Sequence, residues 1–320
     1  MIEVVACGPL VTVQDGGRPG FLSQGLARGG AADRRALDEA AALLDGPGAG
    51  FETPGSPLTL RFETATMLAL TGAEMRADLS GRALAWHAAH EVAAGDVLTL
   101  RPMGVGVYSY VMPLGGLGGP EVMGSRAAHL IAGIGRAVAA GDRFETGGGT
   151  GRGRVLSPRP ERWGGGVLRL VPTPQTRLFP EHELTRFEAA TFTRSPKGNR
   201  QGVRLDGPSF ATEEQLNLLS DFILPGDVQM TGDGVPYILG PECQTTGGYP
   251  RIGHVIDADL PRALQAPPGA EVRFRFVDVE AARAARPGPP ATAPLVRDAR
   301  AVDLRGVQLI GGVVSAREGR

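Results

Sequence analysis

The chain has 320 residues, with 33 lysines and arginines against 34 aspartates and glutamates; the formal charge of −1 gives no basis for binding nucleic acid or an anionic membrane surface. Its 42% apolar content argues against a disordered chain, and 48 glycines with 26 prolines predict many short elements joined by tight turns. Two cysteines, Cys7 and Cys243, make no disulfide framework, residues 1–13 lack the basic segment of a secretory signal, and no apolar run reaches the roughly 18 residues of a membrane span, so a soluble cytoplasmic protein is expected.

The chain opens on an apolar strand, Ile2 to Cys7, broken by Gly8-Pro9 and resumed at Leu10 to Val13. A glycine-rich polar turn follows, in which Gln14, Asp15 and Arg18 are held close together; they can face a ligand, or Asp15 and Arg18 can pair and staple the turn. Ala32 to Leu44 is the clearest helix, with Ala36, Leu37, Ala40, Ala41, Leu43 and Leu44 as an apolar stripe, Asp33 in its first turn and Gly46-Pro47 as its stop. Short strands then succeed one another at Leu58–Phe62, Thr66–Thr71, Ala83–His87 and Val97–Leu100, spaced as in an antiparallel barrel or sandwich. His87 and His90 have H-x-x-H spacing but no visible third ligand, so they are expected as surface or edge histidines and no metal site is expected. Val105 to Leu114 is a long strand entering a glycine cluster. No G-x-G-x-x-G opens a helix there, which excludes a dinucleotide fold, and Gly147–Gly153 has no following lysine, which excludes a Walker-type phosphate loop.

The segment 147–166 reads as a boundary, giving an N-terminal β domain over 1–150, a second β domain over 165–280, and a mobile tail over 281–320 with a possible late strand at Val307–Val314. In the second half Val167–Val171 is a strand and Glu181–Ala190 a helix with Leu184 and Phe187 inward. Arg200 and Arg204 stand four apart; on one strand they share a face and reach one anion, while as solvated arginines they need no ligand. The densest polar stretch runs from Gly226 to Val255. It holds Gln229 on a short strand, Asp233 in a Gly-Asp-Gly turn, then Gln244, Thr245, Thr246, a double glycine, Tyr249 and Arg251. Such a loop suits a polar ligand approaching the backbone; ordinary β-turns account for the same residues. Asp257–Leu264 reads as a loop or short helix, and Ala270–Val277 as a strand alternating Val272, Phe274 and Phe276 with Arg273 and Arg275.

The candidate pocket gathers Gln14, Asp15, Arg18, Arg200, Arg204, Gln229, Thr245, Thr246, Tyr249 and Arg251 for binding. Asp233, as general base, and Gln244 are the candidate catalytic side chains. Arginines clamp a carboxylate and amides read an amide edge, so a small ligand with a carboxylate and a lactam or ureido group fits. Lys197 is the only lysine, and it lies between proline and glycine rather than the methionines that flank a biotinyl lysine, so no biotin is expected on this chain. The Ser-Ser-Lys amidase constellation is absent, and Cys243 has no histidine partner in a recognisable motif.

The string VQMTGDGVPYILGPECQTTGGYPRIGHVI, over 228–256, resembles the signature of the allophanate hydrolase subunit 2 family, also called the KipA or PxpC family and described as biotin-dependent carboxyltransferase-like. TVQDGGRPG over 12–20 is similar to the family's first signature, and Gly124-Ser125-Arg126 to a third, with Ala127 and Ala128 in place of hydroxyl residues. The segment from Ser195 to Leu205 departs most, with Asn199, Gln201 and Val203 where the family has Asp, Met and Tyr. The resemblance covers about residues 2–280 and implies a mainly β fold of cyclophilin-like antiparallel barrels with a few short helices. It implies the C subunit of an ATP-dependent 5-oxoprolinase, inactive alone, which opens 5-oxo-L-proline to L-glutamate beside a KipI-like (PxpB-like) subunit and a LamB/YcsF-like (PxpA-like) subunit. Two other roles fit the same family: the carboxyltransferase half of a urea carboxylase-like enzyme, and a KipA-like antagonist of a KipI-like kinase inhibitor.

Overall fold

A computed structural model describes residues 1–149, 151–210 and 218–295. The fold is mainly β, as expected from the sequence. Among the described residues four α-helices accompany the strands: α1 (Arg34–Leu44), α2 (Glu181–Ala189), α3 (Leu260–Gln265) and α4 (Val279–Ala284). Among the described residues no helix is long and apolar enough to cross a membrane.

The first half is two sheets packed face to face. One has the spatial order Arg143–Phe144, Ile2–Cys7, Leu58–Phe62, Val97–Pro102, Met75–Leu79, Arg82–Leu84. The other has the order Thr12–Gln14, Gly50–Pro54, Tyr108–Pro113, Thr66–Gly72, Ala88–Val92, Arg154–Leu156, Thr292–Pro294. Ile2, Val4, Leu58, Leu60 and Phe62 of the first sheet meet Phe51, Leu68, Leu70 and Val111 of the second in one core. Helix α1 lays Ala36, Ala40 and Leu43 on the opposite face of the second sheet, against Met67, Ala69 and Met112. Thr66–Gly72 and Tyr108–Pro113 are therefore covered on both faces and buried at every position. A doubly covered strand has no solvent face for polar residues to alternate on. Ile2–Cys7 and Leu58–Phe62, each with a more open face, keep an alternation.

The second half is a closed seven-stranded barrel in the order Gly166–Val171, Arg251–Val255, Asp227–Met230, Pro236–Leu239, Gly202–Asp206, Phe192–Asn199, Glu271–Phe276. Closure is through one parallel pair, Gly166–Val171 against Glu271–Phe276. Phe187 of α2 plugs one end, stacked on Phe274 at 4.8 Å between ring centres and packed on Phe192 and Phe210.

Besides the Arg200 ion pairs described below, three devices tie the halves together. Gln265, at the end of α3 and fully buried, uses all its hydrogen-bonding capacity across the junction. Its Oε1 accepts from the Val107 and Tyr108 N–H groups, and its Nε2 donates to the Tyr108 carbonyl and to Asp33 Oδ2, at 2.8–2.9 Å. Arg162 donates from Nε to Asp33 Oδ2 at 2.9 Å and clasps Glu39 with both Nη atoms at 2.8 Å. The third device is the chain end. Of the predicted mobile tail 281–320, the part up to 295 is described, and there, after α4, Thr292–Pro294 pairs with Arg154–Leu156, which pairs with Ala88–Val92 of the first half. The predicted boundary segment thus contains a strand of the N-terminal sheet. The predicted late strand Val307–Val314 lies outside the described residues.

The two histidines expected at the surface or on an edge are buried. His87 stacks on Trp163 at 5.6 Å, and His90 Nε2 lies 2.7 Å from the Ala85 carbonyl. The strand predicted at Ala83–His87 divides into Arg82–Leu84 and Ala88–Val92, because His87 adopts φ 57°, which turns the chain inward.

Candidate functional site

The polar residues of the sequence signatures divide between three places. The first is a buried staple. Asp15 Oδ1 accepts from the Gly17 N–H at 2.8 Å and the Ser125 hydroxyl at 2.6 Å, and its Oδ2 accepts from the Arg126 N–H at 2.7 Å. Arg18, 1% exposed, donates to the carbonyls of Val122, Ser125 and Ala127. Gln14, fully buried, donates to Thr12 Oγ1 and the Ala128 carbonyl. These three side chains fasten the first turn to the segment 122–128, and Asp15 does not pair directly with Arg18. The segment is the third family-like string, so two signatures distant in sequence form one structural joint.

The second place is the junction. Arg200 lies in the hairpin turn between two barrel strands. From there its Nε donates to Glu242 Oε1 at 2.6 Å, Nη1 to Glu52 Oε1, and Nη2 to the Gly30 carbonyl at 2.5 Å. The two carboxylates push its pKa above the ordinary arginine value against the opposing cost of burial. Glu52 also accepts from the Ala32 N–H at 2.8 Å and the Tyr110 hydroxyl at 2.7 Å. Arg204, on the strand that follows, faces outward to Asp206 at 2.9 Å. The expectation that Arg200 and Arg204 share a strand face and one anion is corrected here: the tight turn separates them.

Arg251 is likewise committed. It donates to Asp221, to Asp227 Oδ2 at 3.3 Å, to the Phe222 carbonyl at 2.6 Å and to Gln175 Oε1 at 3.2 Å. The Thr245 carbonyl accepts from the Ile223 N–H at 3.1 Å, and Thr246 pairs with Phe222 in a two-stranded ribbon. Asp233 sits exposed on its turn, outside the two cavities described below.

The third place is a cavity of about 390 Å³ at the barrel mouth. Here three sequence-predicted residues converge: Gln229, Gln244 and Tyr249. Gln229 Nε2 donates to the Tyr249 carbonyl at 3.3 Å. Gly247 makes that approach possible, since a Cβ there would stand 2.9 Å from Gln229 Nε2. Lys197, Asn199, Gln201, Thr231 and Tyr237 add to the polar lining and were not assigned to the pocket from the sequence. Lys197 is brought in by a bulge: register shifts between Arg194 and Gly198, so Ser195-Pro196-Lys197 stand out from the ladder. The signal available in the sequence was the proline inside a strand-like run beside the only lysine. Cys243 also lines the cavity, but burial, and then Asp227, push its thiol up to about 12, a range without thiolate at neutral pH. The arrangement offers amide, hydroxyl and ammonium groups to a polar ligand, and among the described residues it holds no nucleophile–base pair. Among the described residues no group of three or more His, Cys, Asp and Glu side chains is placed to hold a metal ion.

A larger groove of about 890 Å³ separates the barrel from α1 and the 156–162 segment. Its walls are mainly arginine and proline.

Comparison with known proteins fits this two-part architecture. The family described as "Carboxyltransferase domain, subdomain A and B" matches residues 24–276. The chain belongs to this carboxyltransferase-domain family. It is 36% identical over 300 residues to the C subunit of 5-oxoprolinase from Escherichia coli (strain K12), covering 89% of this chain and 94% of that one. It is 30% identical to the protein of the same name from Haemophilus influenzae, covering 88% and 93%. Urea amidolyase of Lachancea kluyveri is 25% identical over 88% of this chain, which spans only 17% of that protein. Among solved structures, TTHA0988 superposes with a TM-score of 0.79 at 29% identity over 86% of this chain, which spans 56% of the length of that chain. The K. lactis urea amidolyase, at 24% identity and TM-score 0.80, shares the fold. Carboxyltransferase-domain membership thus agrees with the resemblance read from the signatures.

Proposed function

We propose that this chain is the C subunit of a 5-oxoprolinase, a hydrolase complex that opens the lactam of 5-oxo-L-proline to L-glutamate. The observation that carries the reading is the likeness, over nearly the whole of both chains, to proteins named as the C subunit of 5-oxoprolinase. The barrel-mouth cavity supports it chemically. Gln229 and Gln244 present both donors and acceptors to a lactam edge, and Lys197 offers a cation to a carboxylate. Among the described residues no activated nucleophile stands in that cavity, which fits a chain that acts only with others. In this reading the complex is cytoplasmic and spends ATP. It contains a KipI-like and a LamB/YcsF-like subunit, and no biotin is attached to this chain.

The test is ATP-dependent glutamate release from 5-oxoproline by the purified three-chain complex. Activity is expected only with all three chains, and Gln244→Ala is expected to lower it about tenfold or more, the loss of one well-placed hydrogen bond. An assembled complex without this activity overturns the reading. A second reading, a carboxyltransferase half, draws on the family description and the urea amidolyase likeness; transfer from carboxybiotin by the same preparation would favour it instead.

A further inference from the structure

The groove between the halves contains a hydrogen-bonded His–Asp pair outside the sequence-predicted site residues. His254 stands on the barrel strand Arg251–Val255, its side chain 24% exposed and lining the groove. Its Nδ1 lies 2.8 Å from Asp227 Oδ1. Asp227 is 2% exposed and fixed from the other side, with Oδ2 accepting from the Leu224 N–H at 2.9 Å and from Arg251 Nη1 at 3.3 Å. A carboxylate at Nδ1 makes that nitrogen the protonated one, so Nε2 is left as the acceptor. The Nε2 edge lies against Gly226, where an added Cβ would meet the ring at 3.0–3.2 Å, and φ 101° also favours glycine there. The main chain thus keeps the space beside the acceptor clear.

Two of the guanidinium groups that line the same groove, those of Arg28 and Arg34, are of a different kind from those at the junction. Arg162, Arg35 and Arg159 also line it, but they are engaged with Asp33 and Glu39, with Glu39, and with Glu74, while Arg286, on the 286–291 wall, likewise makes no ion pair with a described residue. Arg28 spends only its Nε, on the Gly16 carbonyl at 2.9 Å, and Arg34 has no hydrogen bond or ion pair with a described residue. The two lie close enough to repel each other. Arg34 also opens α1, where a cation opposes the helix dipole. Both arrangements cost stability, and among the described residues no ion pair of Arg28 or Arg34 offsets it. The carboxylates of Asp38, Glu161 and Asp257 along the same walls reduce the surplus positive charge, which suits a monoanion better than a phosphate dianion.

We propose that this groove is a second ligand site, separate from the barrel-mouth cavity, for a small carboxylic acid that carries an N–H or O–H group. Its carboxylate lies on Arg28 and Arg34, and its donor points at His254 Nε2. The site does not depend on the 5-oxoprolinase reading, since it follows from the two arginines and the His254–Asp227 pair.

Titration of the full chain followed by the imidazole NMR resonances of His254 tests it, with glycolate and 5-oxoproline as probes. Acetate serves as a carboxylate without a donor, and inorganic phosphate as the competing oxyanion. The expected result is saturable shifts with glycolate or 5-oxoproline, at least fivefold tighter than acetate. Arg34→Gln, at an exposed position that folding does not need, is expected to weaken binding about tenfold, with Arg34→Lys recovering part of it. His254→Asn, followed by calorimetry, is expected to abolish the preference over acetate while leaving weak carboxylate binding. The proposal is overturned if no carboxylate probe moves the His254 resonances, if Arg34→Gln binds as the wild type does, or if phosphate alone binds. A 5-oxoprolinase assembly inactive toward 5-oxoproline, in which this chain still binds glycolate in this way, would sink the functional reading and leave the groove site standing.

Discussion

His87 shows how one buried side chain makes the fold sensitive to acid. The imidazole is 1% exposed, stacked on Trp163, with no hydrogen bond at either nitrogen. Glu74 Oε1 approaches Nε2 to 3.4 Å, but Glu74 is taken by Arg159. Burial, and then the Arg162 guanidinium, push His87 down to about 4. The folded value lies below the unfolded one, so between the two the unfolded chain binds the extra proton and stability rises with pH. The contribution is complete above about pH 6.5 and is lost as pH falls toward 4; at about 1.4 kcal/mol per unit it amounts to about 3 kcal/mol. Urea unfolding at pH 7.5 and pH 5 should show about 2 kcal/mol of this loss, and His87→Asn, which tolerates a positive φ, should start lower and show a flatter pH dependence. An equal loss in the variant would assign the acid sensitivity elsewhere. Cys243 gives a second check at this scale. With its thiol pushed up to about 12, it should resist iodoacetamide at pH 8 in the folded protein and react once the chain is unfolded.

At the scale of the element, the sequence was readable where a strand or helix has one open face and much less so where its partners are remote. Ile2–Cys7, Leu58–Phe62 and Glu271–Phe276 alternate, and α1 carries its stripe, so their type could be assigned from periodicity alone. Arg154–Leu156 and Thr292–Pro294 could not be seen, because three-residue strands owe their existence to each other across a long sequence separation. The candidate site was readable in part for a related reason. Gln229, Gln244 and Tyr249 lie in one signature and stay together in space. Arg200 and Arg204 do not, since the turn at Asn199–Gly202 sends one inward and leaves the other out. Their substitution should separate the two environments. Arg200→Met leaves Glu52 and Glu242 buried without their cation and is expected to cost about 3–5 kcal/mol in urea unfolding. Arg204→Ala should leave the unfolding midpoint in place. Similar midpoints for both would overturn the distinction.

For the whole molecule, the question is whether the sandwich and the barrel are two folding units or one. Continuous packing argues for one: the cluster that holds Ala36, Ala40 and Leu43 of α1 runs through Tyr108 and Tyr110 into Leu168, Leu264 and the barrel interior. The polar ties run the same way, with Gln265 and Arg162 converging on Asp33, and Arg200 joining Glu242 of the barrel to Glu52 of the sandwich. Either half cut free would expose apolar surface together with a buried carboxylate stripped of its partner, and each of these is costly in water. Calorimetric unfolding should therefore give one transition, with the calorimetric and van't Hoff enthalpies in agreement. Gln265→Ala removes four hydrogen bonds at the junction and touches no residue of the barrel-mouth cavity. It should lower that transition by several degrees, and where it uncouples the halves the enthalpies should cease to agree. Two transitions in the wild-type chain would show instead that the junction is a contact between independent domains. The groove beside it would then open and close with them, and Arg28 and Arg34 would no longer be held in fixed register with His254.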